Sequence, residues 1–308
     1  MFQPQRVFQF MRLLFDTNQV RRAFSRAASG YSAAADLQME VQKRLFEDLD
    51  LFESLRPSVI VDVGAGTCEA AQLFRKKFPK STVIALDNAM PMLRQSAIDN
   101  RDGQDHCRVV GDACALPLRS GSVDILFCNL CLQWMNDLSV TFAEFARVLR
   151  PDGLLLCSTF GDGTLHELQE AFAAADAFPH VIPFCSIAQF GAAILDAGFC
   201  NPVLDSERFT LFYEDFYGLL RQLRALGATN ALSSRRRTLT GRKRFSAAQQ
   251  VYETYRDANG KLPSTWQVIS AHAWMAPKSK EKLAACKTSI NKKTIPLVKL
   301  PFSWKKKR

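Results

Sequence analysis

Residues 59–67 read Val59-Ile60-Val61-Asp62-Val63-Gly64-Ala65-Gly66-Thr67, and Glu69 to Phe78 follows with helical spacing before Pro79. A short apolar run rich in β-branched residues, a glycine turn and a helix, in that order, open a unit whose backbone can approach a ligand at the carboxyl end of a strand. A nucleotide-like ligand is expected. The turn is not that of a dinucleotide site, because Cys68 stands where a third glycine would lie and the strand carries an acid, Asp62, next to the turn. A carboxylate there opposes a phosphate and suits a ligand with positive charge at that point.

Outward from this turn, apolar runs alternate with amphipathic stretches. Residues 82–86 form a second strand ending at Asp87, 90–98 a helix, 107–110 and 123–128 two more strands, 138–149 a helix stopped by Pro151-Asp152-Gly153, and 154–159 a fifth strand. This pattern predicts an α/β fold with a doubly wound, mostly parallel sheet. Further helices are expected near 164–175, 186–197, 214–226 and 245–258, with strands near 203–212 and 266–275, so that a helical insertion precedes the last strand. Two amphipathic segments, 17–28 and 34–49, come before the sheet. They either cover the site as a lid or pack against the outside of the sheet, and periodicity does not separate the two. The chain divides into an N-terminal helical lid segment (1–54), a catalytic domain (55–275) and a basic tail (276–308) expected to be disordered.

Three carboxylates fall at successive strand ends. Asp87 is placed to accept both hydroxyls of a ribose, and Asp112, in Gly111-Asp112-Ala113, to accept from the exocyclic amino group of an adenine. Any one of them alone reads as an ordinary loop or capping residue; the three together with the glycine turn describe a nucleoside pocket.

Composition narrows the function. The 308 residues carry a formal charge of +10, and residues 276–308 hold eleven basic side chains against the single acid Glu281. The remainder is neutral, which argues against a nucleic-acid-binding surface on the fold. No apolar stretch is long enough to span a membrane, the first thirty residues with their five arginines lack a secretory signal, and a cytoplasmic protein is expected. Nine cysteines, odd in number, imply no disulfide framework; Cys128 and Cys131 lack the partners of a zinc or redox site, and the four histidines are scattered, so no metal is expected.

The turn at 62–66, Asp87, the Gly-Asp of 111 and 112 and Asn129-Leu130 together resemble the class I S-adenosylmethionine-dependent methyltransferases. A closer resemblance rests on Arg22-Ala23-Phe24-Ser25-Arg26-Ala27-Ala28 with Tyr31 and Ala35-Asp36-Leu37-Gln38. It extends through Asn129-Leu130-Cys131-Leu132-Gln133-Trp134, Arg147 to Gly153, Thr164-Leu165 with Glu167-Leu168, and Leu220 to Asn230. Over about 16–275 the chain resembles the malonyl-acyl-carrier-protein O-methyltransferases of biotin synthesis. It departs from their pattern at Ser32-Ala33-Ala34 after the tyrosine, and the tail matches nothing in that family.

The resemblance implies S-adenosylmethionine as cofactor, held by Asp62, Gly64, Ala65, Gly66, Asp87, Asn88, Asp112, Ala113 and Asn129, with Asp62 facing its amino group. It implies methyl transfer to the free carboxylate of malonyl-acyl carrier protein, the ester then priming pimeloyl synthesis. A malonyl carboxylate is ionised at neutral pH, so no general base is needed. Arg221 is assigned to the carboxylate, with Arg224 able to exchange roles from the same helix face, and Tyr31 closes the pocket or bonds the carboxylate. Gln133 and Trp134 are the other substrate candidates, although an isolated aromatic more often reads as core. Arg235-Arg236-Arg237 and Arg242-Lys243-Arg244 read either as a patch for the acidic carrier or as a solvated loop. A rival reading is a methyltransferase-like assembly factor of respiratory complex I acting on a protein partner, which shares the Thr-Leu-x-Glu-Leu pattern.

Overall fold

The computed structural model describes residues 13–52, 54–99 and 107–277, so nearly all of the basic tail lies outside the described residues. Along the chain come α1 (Thr17–Ala27), the short α2 (Tyr31–Ala34), α3 (Asp36–Asp50), β1 (Val59–Val63), α4 (Glu69–Lys77), β2 (Thr82–Asp87), α5 (Met90–Asp99), β3 (Cys107–Val110) and β4 (Val123–Cys128). They are followed by α6 (Leu138–Val148), β5 (Leu149–Phe160), α7 (His166–Ala173), α8 (Ile187–Asp196), β6 (Phe199–Tyr213), α9 (Phe216–Ala225), α10 (Arg242–Tyr252) and β7 (Leu262–Met275).

Both faces of the central strands are covered: every residue of β4 and all but the first of β1 are buried, as in parallel strands sandwiched between helices. The sheet order is β3-β2-β1-β4-β5-β7-β6. The first five strands are parallel, while β7 runs antiparallel to both β5 and β6. From β1 the chain winds outward through β2 and β3, then returns to β4 on the other side of β1. The connecting helices diverge at that reversal and leave a crevice beyond the carboxyl ends of β1 and β4.

The two N-terminal segments separate in role. Leu45 and Leu49 of α3 pack with Ile60, Phe74 and Phe127, so this helix belongs to the core of the sheet domain. By contrast, α1 and α2 roof the crevice. The start of α1 is tied down from two sides: Phe15 N–H donates to Asn136 Oδ1 (2.7 Å), and Asp16 N–H donates to Ala231 O (2.9 Å). Asp16 also caps the helix by accepting from Gln19 N–H (3.1 Å) and pairs with Arg235 (3.4 Å).

The Thr-Leu-x-Glu-Leu pattern is structural. Thr164 Oγ1 donates to Gln267 O (3.0 Å), and the buried Glu167 carboxylate accepts from Thr265 N–H (3.2 Å) and Thr265 Oγ1 (2.5 Å), bracing α7 against β7. Leu165 adopts φ +55°, and this left-handed residue starts α7 at His166 rather than at 164.

Candidate active site

The crevice is a cleft of about 240 Å³, and Gly64, Gly66, Asp87, Asn88, Asp112, Ala113, Asn129, Tyr31 and Trp134 all line it. Beside it, on the α3 side, a smaller recess is lined by Asp62, Glu69, Gln38, Ala65, Tyr31 and Asn129. Tyr31 and Asn129, with Gly64 and Gly66 of the turn, line both and form the boundary between the two.

The turn has the conformation its glycines permit. Gly64 and Gly66 lie at φ +72° and +54°, and a Cβ on Gly64 would sit 2.5 Å from Cys131 Sγ. Cys68 sits at φ +68°, fully buried at the start of α4, so the turn keeps a glycine-like geometry on a cysteine.

Asp87 organises this turn. Its Oδ2 accepts from Gly66 N–H (2.9 Å) and its Oδ1 from Ala89 N–H (2.7 Å). Each oxygen keeps a lone pair for a ligand hydroxyl. Burial raises its pKa, and the two amides together with Asn88 N–H oppose that. Asp112 Oδ1 accepts from Cys114 N–H (2.9 Å), which fixes the loop at the far end of the cleft.

Asp62 is 2% exposed, and its Oδ2 has no hydrogen-bond partner. Burial, followed by the charges of Asp87 and Glu69, pushes its pKa up to about 8. Gln38 Oε1, in the same recess, is also buried without a partner. Two orphaned acceptors in one recess, one of them a carboxyl oxygen, make a receptor for a cation.

Asn129 is held on both sides: its Nδ2 donates to Gln38 O (3.0 Å), and its Oδ1 accepts from Ser158 Oγ (2.8 Å). Leu130 N–H donates to the same Ser158 Oγ (2.9 Å), and Leu130 adopts φ +47°, a strained left-handed conformation at the floor of the cleft.

Sequence reasoning did not identify Thr17, Val20 and Phe24 of α1, or Met92 and Asn136, which also line the cleft. Their signal is the apolar face of α1, which became a roof only once the fold placed it there. Phe24 meets Trp134 edge-on at 5.5 Å. Ser32, where the chain departs from the family pattern, donates to Glu69 Oε1 (2.7 Å), and Thr67 Oγ1 donates to the same oxygen (2.6 Å), tying α2 to the glycine turn.

The remaining expected residues lie elsewhere. Gln133 does not line the cleft but a neighbouring apolar chamber, of which Trp134 is the shared wall. Arg221 and Arg224 line an open groove on the outside of α1 and α9, and Arg221 is 67% exposed beside Asp215 (3.5 Å). Among the described residues no Lys, Arg or His lines the cofactor cleft. Of the loop cations, Arg235 is paired with Asp16, while Arg236 (2.8 Å) and Arg244 (3.6 Å) hold the buried Asp176; Arg237, Arg242 and Lys243 face solvent.

S-adenosylmethionine fits these residues: an ammonium for Asp62 and Gln38, a ribose for Asp87, an adenine beside Asp112 and Ala113. Residues 61–157 match the family described as "Methyltransferase domain". The fold is shared with the YcgJ protein of Bacillus subtilis (TM-score 0.54, 16% identity, 76% of this chain and 98% of that one). It is likewise shared with a protein of Bacillus halodurans (TM-score 0.55, 16% identity, 75% of this chain and 98% of that one). The chain is 55% identical over 269 residues to the malonyl-[acyl-carrier protein] O-methyltransferase of Xylella fastidiosa, covering 87% of this chain and 91% of that protein. It is 43% identical to the enzyme of the same name from Methylovorus, over 85% of this chain and 90% of that one. With its methyltransferase sheet, a nucleoside cleft at the switch point and this identity over most of its length, the chain belongs to the malonyl-[acyl-carrier protein] O-methyltransferase family.

Proposed function

We propose that the protein methylates the free carboxylate of a malonyl group carried as a thioester on acyl carrier protein, using S-adenosylmethionine, and so supplies the ester from which biotin synthesis proceeds. The observation that carries this reading is the 55% identity to an enzyme of that name over 91% of its length.

S-adenosylmethionine, when bound, supplies a methyl group on a cationic sulfur. Asp62 and Gln38 would hold its amino end, the Gly64–Gly66 turn would admit it close to the backbone, Asp87 and Asn88 would take the ribose, and Asp112 with Ala113 would receive the adenine. Transfer would join the carboxylate oxygen to the methyl carbon as the carbon–sulfur bond breaks, so the protein's own residues need to align the two and have no proton to move.

A negative nucleophile and a positive leaving group become two neutral products, so a water-poor site without a competing cation favours the reaction. The absence of Lys, Arg and His from the lining among the described residues serves that end. Tyr31 is the donor we assign to the carboxylate. Tyr31 is half-buried where cleft and recess meet, and burial, followed by the charges of Glu69 and Asp87, raises its pKa, so it remains a neutral phenol able to donate. Trp134 walls the methyl-transfer position on the chamber side.

The test is incubation of the protein with S-adenosylmethionine and either malonyl-acyl carrier protein or the unmodified carrier, followed by mass spectrometry. A gain of one methylene mass confined to the malonyl form is expected. A protein that binds the cofactor but leaves the malonyl form unchanged would end this reading.

A further inference from the structure

The apolar chamber beyond Trp134 holds a concentration of unsatisfied polar groups. Trp266 is 3% exposed and lines the chamber with its indole N–H unpartnered, and Thr229 Oγ1 and Gln133 Oε1, also on the lining, are buried without a partner. Buried polar atoms are nearly always paired, so two donors and an acceptor left over in one cavity describe the ligand that would complete them. The rest of the wall is mostly apolar and aromatic, including Phe160, Phe184 and Leu168, and its two other polar side chains are already engaged, His180 with Asp176 (3.1 Å) and Asn230 with Pro179 O (2.8 Å) and Leu232 N–H (3.0 Å). An amide between short aliphatic segments has the matching chemistry: its carbonyl accepts from Trp266 or Thr229, its N–H donates to Gln133, and its methylenes meet the aromatic wall.

The chamber has two neighbours. Trp134 is its common wall with the cofactor cleft. Thr229 is its common wall with the outer groove, where Arg26, Arg221 and Arg224 lie together. Arg26 and Arg224 have no ion-pair partner among the described residues, and Arg221 has only the exposed Asp215. The line from groove to chamber to cleft therefore runs from three cations, through amide-matched apolar walls, to the methyl-transfer position.

From this order we infer that the chamber is the seat of the 4′-phosphopantetheine arm, with the phosphate at Arg26, Arg221 and Arg224, an arm amide between Trp266, Thr229 and Gln133, and the malonyl end delivered past Trp134. The inference rests on the carrier-thioester reading above. It gives Arg221 and Arg224 a place at the phosphate end of the substrate rather than at its carboxylate, and it explains why Gln133 faces away from the cofactor.

Two measurements test it. The first is calorimetric titration of the full-length protein, loaded with S-adenosylhomocysteine, with 4′-phosphopantetheine and with pantetheine, neither bearing a malonyl group. The phosphorylated arm should bind at least tenfold more tightly, and Arg221→Ala with Arg224→Ala should abolish that difference while leaving pantetheine binding unchanged. The second is methylation of malonyl thioesters of N-acetylcysteamine, pantetheine and 4′-phosphopantetheine. Trp266→Phe and, separately, Thr229→Val should raise KM for the two pantetheine substrates about tenfold and leave both kcat and cofactor affinity near wild type.

If neither arm binds the wild-type protein, or if both variants are indistinguishable from wild type on every thioester, the chamber is not the arm's seat. If the arms bind as described but no malonyl thioester is methylated, the arm site stands and the methyl-transfer reading falls.

Discussion

Asp62 and Asp87 face the Gly64–Gly66 turn from the ends of neighbouring strands, and the charge of Asp87 is one of the causes that hold Asp62 near 8. The two acids differ in what satisfies them. Asp87 already accepts two backbone amides, whereas Asp62 has an oxygen with nothing to bond. At neutral pH Asp62 is therefore mostly protonated until a cation arrives.

Binding of an ammonium to that recess must release a proton. Cofactor affinity should rise with pH up to about 8, by at most tenfold per unit, and level off above it. Stability of the ligand-free protein should run the other way. A carboxyl whose pKa is raised from 3.8 unfolded to about 8 folded binds more protons in the folded state, so stability falls as pH rises from 3.8 to about 8, by at most about 1.4 kcal/mol per unit. Asp62→Asn should flatten both slopes. Titrations in buffers of different ionisation enthalpy would show the proton release, and its absence would remove the ammonium from Asp62.

Asp87→Ala should act twice. The substitution strips Gly66 N–H and Ala89 N–H of their acceptor and removes the ribose partner. Leaving buried amides unpaired costs about 1–3 kcal/mol, and loss of the hydroxyl contacts should weaken S-adenosylmethionine by a similar amount. Calorimetry and chemical unfolding separate the two effects. Lower stability with unchanged affinity would restrict Asp87 to bracing the turn.

How far the site was legible follows from how local each signal is. Asp62, the two glycines, Asp87 and Asp112 sit within three residues of a strand end, so locating the strands placed them. Arg221 was different. It lies in a helix correctly expected, but which way its face looks depends on how α1 packs on the turn after α9. Gly227, at φ +73°, has the Cα of Phe24 3.1 Å from where a Cβ would be, so α1 seats directly on that turn. This contact joins segments about two hundred residues apart and leaves no periodic trace. The chamber is less legible still, because Gln133, Thr229 and Trp266 come from three separate elements and only the fold brings their unpaired atoms together.

Gly64→Ala should be far more damaging than an average glycine replacement in a loop. A methyl at φ +72° costs about 1–2 kcal/mol from backbone sterics alone, and this one would lie 2.5 Å from Cys131 Sγ and 2.6 Å from Cys131 Cβ. Cys131→Gly in the Gly64→Ala background removes the collision and leaves the backbone cost. A double-mutant cycle on unfolding free energy should therefore show favourable coupling between the two substitutions. Additive effects would mean that the turn relaxes without Cys131.

Ser158→Ala tests whether the strained floor of the cleft is held in place by one hydroxyl. Ser158 is fully buried, donates to Asn129 Oδ1 and accepts from Leu130 N–H. Alanine leaves both partners unpaired, at a cost of about 1–3 kcal/mol, next to a residue already at φ +47°. Leu130 should then relax toward an unstrained conformation and draw Asn129 out of the boundary between cleft and recess. Ser158→Ala is thus expected to lose cofactor affinity by roughly tenfold, whereas Ser158→Thr, which keeps the hydroxyl, should recover most of it. If the alanine variant binds S-adenosylmethionine as tightly as wild type, the conformation of Asn129 and Leu130 is fixed by the surrounding packing and the hydroxyl is dispensable.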